Sequence, residues 1–287
     1  MERLIRLAAD DELPALLAFF SRAPWLATDI RPRDLEPHLR AGACWLAERA
    51  GRIAAAALVE TQRHPVWQMQ MVGCADLEAL DEELGPLLAA ADRAGQAAGA
   101  GPLLYIGDEP WLNGELPALG FATINRIAFY EREGRGLPEE RGLALATLRP
   151  AAAEDMPAAL AVDHAAFDPI WWNSAAFLAQ ALDEFRFVVA TAGGEVAGYS
   201  LCSTYPGEGH LARLAVHPAW QGRGIGGQLV RDALRFFWGC GLTRVLLNTQ
   251  QDNERSQALY RRYGFRASGP TLPVWQMRRD PEGAPGI

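Results

Sequence analysis

Gln221-Gly-Arg-Gly-Ile-Gly226 follows an apolar run, Leu211-Ala-Arg-Leu-Ala-Val216, and precedes an amphipathic stretch that begins Gln228-Leu-Val-Arg-Asp-Ala-Leu. That order predicts a strand, a glycine-rich turn and the first residues of a helix. Glycine at 222, 224 and 226 removes the side chains that would keep a ligand off the backbone. The helix's first turn then presents unpaired N–H groups, with the positive end of its dipole behind them. A turn of this kind is built to hold phosphate.

Two nucleotide readings of the glycines are weak. Gly222-x-Gly224-x-x-Gly227 fits the dinucleotide pattern, but that pattern needs a carboxylate about 20 residues on, at the end of the next strand. Here the next apolar run, Arg244-Val-Leu-Leu, ends at Asn248. A nucleoside triphosphate loop needs a lysine, and all 27 basic residues of the chain are arginine.

A second segment narrows the choice. Asn253-Glu-Arg-Ser-Gln-Ala-Leu-Tyr-Arg-Arg-Tyr-Gly-Phe265 begins as a capped helix, carries an apolar stripe at Ala258, Leu259 and Tyr263, and stops at Gly264, a residue suited to the left-handed position after a helix. The two motifs together, in this order and spacing, resemble the GNAT acetyltransferase superfamily over about residues 143–280. The resemblance implies an α/β (α+β) fold with a mixed, mostly antiparallel sheet flanked by helices. It implies acetyl-CoA as co-substrate, with its pyrophosphate on Gln221, Gly222, Arg223, Gly224, Ile225 and Gly226. Leu214, Val216 and Asn253 would meet the pantetheine arm between two diverging strands, 209–216 and 243–248. Tyr260 stands at the family's general-acid position.

Strands are expected at 144–150, 186–191, 195–205, 209–216 and 243–248, with a final pair near 265–268 and 273–279. Helices are expected at 154–166, 173–182, 224–238 and 254–263. The remainder of the chain repeats this half. Ile5-Arg-Leu-Ala-Ala-Asp-Asp-Glu-Leu-Pro-Ala-Leu-Leu17 matches Leu148-Arg-Pro-Ala-Ala-Ala-Glu-Asp-Met-Pro-Ala-Ala-Leu160 at an offset of 143, and Gly120-Phe121 matches Gly264-Phe265 at 144. Two domains are therefore expected, 1–142 and 143–287, sizes that ordinary domain dimensions allow.

The copies differ in chemistry. The offset of 143 carries Gln221–Gly226 onto Glu78-Ala-Leu-Asp-Glu-Glu83, where carboxylates replace glycines and repel a phosphate. The offset of 144 carries Asn253 to Glu109 and Tyr260 to Leu116. The N-terminal domain is read as a degenerate copy and the C-terminal one as catalytic. Residues 1–149 hold 15 Arg against 22 Asp and Glu, and residues 150–287 hold 12 against 13. Arg223, Arg231, Arg255, Arg261 and Arg262 gather around the two motifs, which suits a ligand bearing a pyrophosphate and a 3′-phosphate.

With 49% hydrophobic and 22% charged residues the composition is that of an ordinary globular chain. No long apolar run or signal-type start is visible. Cys44, Cys74, Cys202 and Cys240 form no metal-spaced pair and are read as buried thiols of a cytoplasmic protein. No metal, nucleic acid or membrane partner is expected. Oligomeric state is not legible.

Acetyl transfer needs a neutral amine and a donor for the departing thiolate. The segment Ala166-Phe-Asp-Pro-Ile-Trp-Trp-Asn-Ser174 is similar to peptide N-terminal acetyltransferases of the family, which often carry a glutamate as base where this chain has Asn248. Asn cannot take a proton, so Glu208 and His210, on one face of the preceding strand, are the substitutes. Trp171 and Trp172 are candidate walls of the acceptor pocket. A tandem arrangement also resembles mycothiol synthase, so a small amine and a peptide N-terminus both stand as acceptors. The alternative function is an acetyl-CoA-binding pseudoenzyme or sensor, motivated by the missing base.

Overall fold

A computed structural model describes residues 3–28, 30, 34–60, 66–138 and 146–279. Its elements in chain order are β1 (Arg3–Leu7), α1 (Leu13–Phe20), β2 (Trp25–Thr28), α2 (Leu35–Ala41), β3 (Ala43–Arg49), β4 (Arg52–Glu60), β5 (Trp67–Cys74), α3 (Leu77–Glu82), α4 (Leu84–Ala97), β6 (Leu103–Ile106), α5 (Pro110–Glu115) and β7 (Phe121–Glu133). They continue with β8 (Thr147–Pro150), α6 (Met156–Ala166), α7 (Ala175–Glu184), β9 (Arg186–Ala192), β10 (Glu195–Tyr205), β11 (Glu208–Val216), α8 (Ile225–Gly239), β12 (Arg244–Gln250), α9 (Glu254–Arg262), β13 (Arg266–Ala267) and β14 (Leu272–Met277).

The boundary expected at 142/143 lies outside the described residues, as do the first two residues of the strand expected at 144–150. The compact units of the fold divide elsewhere. Unit 1 runs to Ile124 and takes in the segment from Leu272 onward, while unit 2 is Asn125–Thr271. The difference has a topological cause. In unit 1, β14 pairs antiparallel with β6; in unit 2, the later part of β7 pairs antiparallel with β12 over Ile127–Glu133. Each half of the sequence thus sends its last strand to complete the sheet that holds the other half's elements. The expected pair near 265–279 is consequently no hairpin, since β13 pairs with β7 instead.

Within unit 1 the strand order is β1-β3-β4-β5-β6-β14, and within unit 2 it is β8-β9-β10-β11-β12-β7. Among the described residues both sheets are antiparallel except at one parallel pair each, β5 with β6 and β11 with β12. Side chains alternate across each sheet. In β4, Ala55, Ala57 and Val59 face α3, α4 and α5, whereas Ala56 and Leu58 face α1 and α2. In β9, Phe187 and Val189 face α6 and α7, whereas Val188 and Ala190 face α8.

The repeat extends to individual contacts. Arg6 holds Glu12 as Arg149 holds Asp155, and each carboxylate also accepts the amide three residues before it, Ala9 or Ala152. Phe121 N–H donates to the Leu116 carbonyl at 2.9 Å after Gly120 at φ +85°; Phe265 N–H donates to Tyr260 at 3.1 Å after Gly264 at φ +83°. Both are helix stops of the six-to-one type, which favour glycine because a Cβ disfavours that φ.

Of the cysteines, Cys44, Cys74 and Cys202 are buried as expected, and burial pushes each thiol up to about 12. Cys240 departs from the expectation: it follows α8 and is exposed.

Candidate active site

The site begins where two strands part. β11 and β12 pair at three positions, Glu208 with Arg244, Gly209 with Val245 and His210 with Leu246. Beyond His210 that pairing stops, while β10 follows the other edge of β11 up to Val216. Among the described residues the β12-facing edge of β11 is therefore left without a strand partner. A bulge at Ala212 shifts the β10–β11 register between Leu201 and Cys202, so that Leu201 faces Arg213. A bulge re-aims the side chains that follow it.

A cavity of about 280 Å³ lies along the last residues of β11, past the point where the two strands part. Leu214, Ala215 and Val216 line it from β11, Gln221, Gly222, Gly224, Ile225 and Gly226 from the turn, Asn253, Arg255, Ser256, Leu259 and Arg262 from α9 and the residue that caps it, and Ala166 and Phe167 from the end of α6.

The turn is as tight as its sequence requires. Gly222 and Gly224 sit at φ +78° and +88°, and Gly224 caps α8. Gly226 lies inside the helix, where a Cβ would come 3.2 Å from Leu259 Cδ2. At Gly227, which also lines the cavity, a Cβ would stand 2.7 Å from the Tyr263 hydroxyl, so this glycine also serves the packing of α8 on α9. Gln221 Nε2 donates to the Val216 carbonyl at 2.8 Å, and Gln221 Oε1 accepts from Arg255. The first residue of the turn is thereby tied both to the strand before it and to α9. Arg223 lies over the Trp220 ring at 4.8 Å and does not line the cavity.

Asn253 caps α9, its side chain accepting from Ser256 N–H at 3.0 Å. Tyr260 lies two turns deeper, 5% exposed, between Tyr130 and Phe265, and does not itself line the cavity. Burial pushes its hydroxyl up to about 12, against the opposing influence of the Arg213 cation and of a hydrogen bond with Ser256. The hydroxyl is thus protonated throughout the physiological range, beside a serine that lines the cavity.

Glu208 and His210 stand at the closed end of the parting, outside the lining. Glu208 forms an ion pair with Arg244 at 2.7 Å, and Arg244 also reaches Glu131 at 3.0 Å. His210 is partly buried, which lowers its pKa from 6.5, while the Glu208 charge works the other way. Trp171 and Trp172 do not line the cavity either: Trp172 stacks on His164 with centroids 4.1 Å apart and donates to the Phe167 carbonyl at 2.8 Å.

One cluster escaped the sequence reading. Asp163 is fully buried in α6 and accepts from Arg213 Nε and Nη2 at 2.9 and 2.7 Å, from the Tyr199 hydroxyl, and from Asn173 N–H at 2.9 Å. Arg213 is the charge inside the apolar run Leu211–Val216, and an ionised residue there demands a buried partner. That demand was readable; the identity of the partner was not.

Residues 149–265 match the profile described as "Acetyltransferase (GNAT) family". Among curated proteins, the N-alpha-acetyltransferase RimI of Mycobacterium tuberculosis is 40% identical over 103 residues, which are 34% of this chain and 63% of that protein. The chain thus spans less than two thirds of this relative. The mycothiol acetyltransferase of Amycolatopsis mediterranei is 26% identical over 233 residues, 70% of this chain and 69% of that one. Among solved structures, a tandem GNAT protein from the clavulanic acid biosynthesis pathway superposes with a TM-score of 0.60 at 16% identity, covering 96% of this chain and 98% of its own. At that identity the likeness concerns the fold.

Proposed function

We propose that unit 2, whose residues 149–265 match the GNAT acetyltransferase family, transfers acetyl from acetyl-CoA to an amine by direct attack in a ternary complex. The observation that carries the reading is the junction of the Gln221–Gly226 turn with the open edge of β11 in a single cavity. The first-turn N–H groups of α8 suit the pyrophosphate. The bare edge of β11 suits the amides of a pantetheine arm, which can pair with it as a strand would.

In this reading the amine nitrogen attacks the thioester carbonyl and the C–S bond breaks. Tyr260, held protonated by burial, donates a hydrogen bond to the sulfur as its negative charge develops. The amine proton leaves to water or to His210. Glu208, engaged by Arg244, is the poorer base.

The acceptor class follows from what surrounds the thioester. Among the described residues that line the cavity there is neither a carboxylate nor an imidazole. A lysine-type amine, with pKa about 10.4, would arrive charged and need a strong base, whereas an α-amino group near 8 is partly neutral already. A weakly basic amine is therefore the favoured acceptor. The relatives named N-alpha-acetyltransferase and mycothiol acetyltransferase put peptide N-termini and small-molecule amines together on the test panel.

The same absence of a base favours the second reading, a module that binds acetyl-CoA without turnover. A panel of amines assayed for CoA release, run beside thermal shifts with acetyl-CoA, separates the two. Stabilisation by acetyl-CoA with no CoA release from any amine would assign the sensor role.

A further inference from the structure

Three contacts bind the segment Phe167–Asn173, which joins α6 to α7, to a single arginine of β11. The Arg213 guanidinium lies 3.6 Å from the centroid of the Phe167 ring. Its Nη2 donates to the Trp171 carbonyl at 2.7 Å. Through Asp163, which it meets with two nitrogens, it reaches the far end of the segment, because the same carboxylate accepts the Asn173 amide. His164 and Trp172 add a stacked pair, and a His164 ring nitrogen meets the Asn173 carbonyl at 3.1 Å.

Phe167 itself lines the cavity, as does Leu214, the residue after Arg213. The clamp is thus one residue removed along the strand from the groove wall. Its charge also bears on Tyr260, lowering the pKa that burial raises. The bulge at Ala212 is what makes this possible: it turns Arg213 toward α6 rather than toward α8.

We infer that Arg213, paired with Asp163, is a positioning residue that fixes the segment Phe167–Asn173, and with it the groove wall at Phe167, past which the acceptor amine must reach the thioester. This rests on the reading of the cavity as the acetyl-CoA site. A planar guanidinium is required for it. Arginine offers a fork to the carboxylate, a further donor for a carbonyl and a face for an aromatic ring at the same time, whereas lysine offers a single point charge.

The consequence is a separation of roles. The pyrophosphate turn is built from other residues, so loosening the clamp leaves acetyl-CoA in place. What suffers is the placement of the amine, and a displacement of about 1 Å near reacting atoms costs on the order of 10²-fold in rate.

Arg213→Met alone strands a buried carboxylate and can fail to fold, so the main variant is Arg213→Met combined with Asp163→Asn, with Arg213→Lys beside it. The probes are hydroxylamine, a small nucleophile that needs little recognition, and a tripeptide with a free N-terminal alanine. For the double variant the expected result is an acetyl-CoA Kd within about threefold of wild type and a peptide KM raised about tenfold or more, with the hydroxylamine reaction little changed. Hydrogen exchange over 167–173 should accelerate while α8 stays protected. Arg213→Lys should fall between the two. Faster exchange with an unchanged peptide KM would overturn the inference, leaving the cluster as packing. Failure of the wild type to bind acetyl-CoA, or to release CoA with either nucleophile, would overturn the acetyl-transfer reading and this inference with it.

Discussion

Trp25 and Trp111 meet edge to face in unit 1, with ring centroids 6.0 Å apart. Trp111 is the second residue of α5, and the offset of 144 sets it against Arg255, which lines the cavity of unit 2. Trp25 opens β2, which pairs antiparallel with Met71–Cys74 of β5. That stretch lies just past the three parallel pairs of β5 with β6, Trp67–Met69. It is the counterpart of the open edge of β11. In unit 1 the chain's own strand lies where unit 2 has its groove.

Stoichiometry follows from this. Glu83 caps α4 where Gly224 caps α8, so a carboxylate residue takes the place that a glycine holds at the head of the matching helix. Isothermal titration should give one acetyl-CoA per chain. Two equivalent sites would remove the argument that unit 1 is a degenerate copy.

Gly224→Glu should abolish that single site. A Cβ at 224 would meet nothing within 4 Å, so the substitution acts by other routes than a clash. It forces a side chain onto φ +88°, a strain of about 1–2 kcal/mol, and it sets a carboxylate against the pyrophosphate. Gly224→Ala carries the strain without the charge and should weaken binding less. Equal losses in the two variants would show that charge plays no part.

Tyr260→Phe should leave acetyl-CoA affinity within a few-fold and lower kcat by ~10²-fold, the usual size of a positioned proton donor's contribution. Because the ring stays packed against Tyr130 and Phe265, thermal stability should change little. Turnover equal to wild type would take Tyr260 out of the mechanism.

His210 gives a pH signature with a definite sign. Its folded pKa lies below 6.5 because burial disfavours the cation. As pH falls past 6.5 the unfolded chain therefore binds a proton that the folded one resists, and this residue's contribution lowers stability there. Above 6.5 both states are neutral and the contribution is constant. His210→Gln should flatten the decline in Tm on the acid side. If His210 also relays the amine proton, log(kcat/KM) should rise through an inflection below 6.5 that His210→Ala erases. A profile that follows the acceptor's own pKa in both proteins would assign proton removal to solvent.

Much of unit 2 was legible because its signals are local. The Gln221–Gly226 turn needs left-handed backbone at 222 and 224, the Asn253 cap needs an oxygen three residues ahead of Ser256 N–H, and the helix stop at Gly264 needs a residue without Cβ. Each constraint is met within a few residues of chain, so each leaves a mark in the string of letters. The repeat was legible for the same reason, since Arg6–Glu12 and Arg149–Asp155 are the same short-range contact written twice.

Long-range partnerships left no such mark. Strand patterning says that Leu272–Met277 pairs with something; only the tertiary fold assigns it to β6, and β7 to β12, because hydrogen bonding along a strand edge is nearly indifferent to side-chain identity. Trp25–Thr28 carries no sign that it will lie along β5. Glu208 is a candidate base in the sequence, whereas in the fold Arg244, 36 residues on, holds its carboxylate. Arg213 interrupts an apolar run, and that its counter-charge is Asp163, 50 residues away, was decided by the packing of α6 on β11. By itself the sequence determined the turns, the caps and the doubled plan, which depend on local backbone geometry. The tertiary structure alone decided which edges, charges and faces meet, because those energies exist only once distant segments have been brought together.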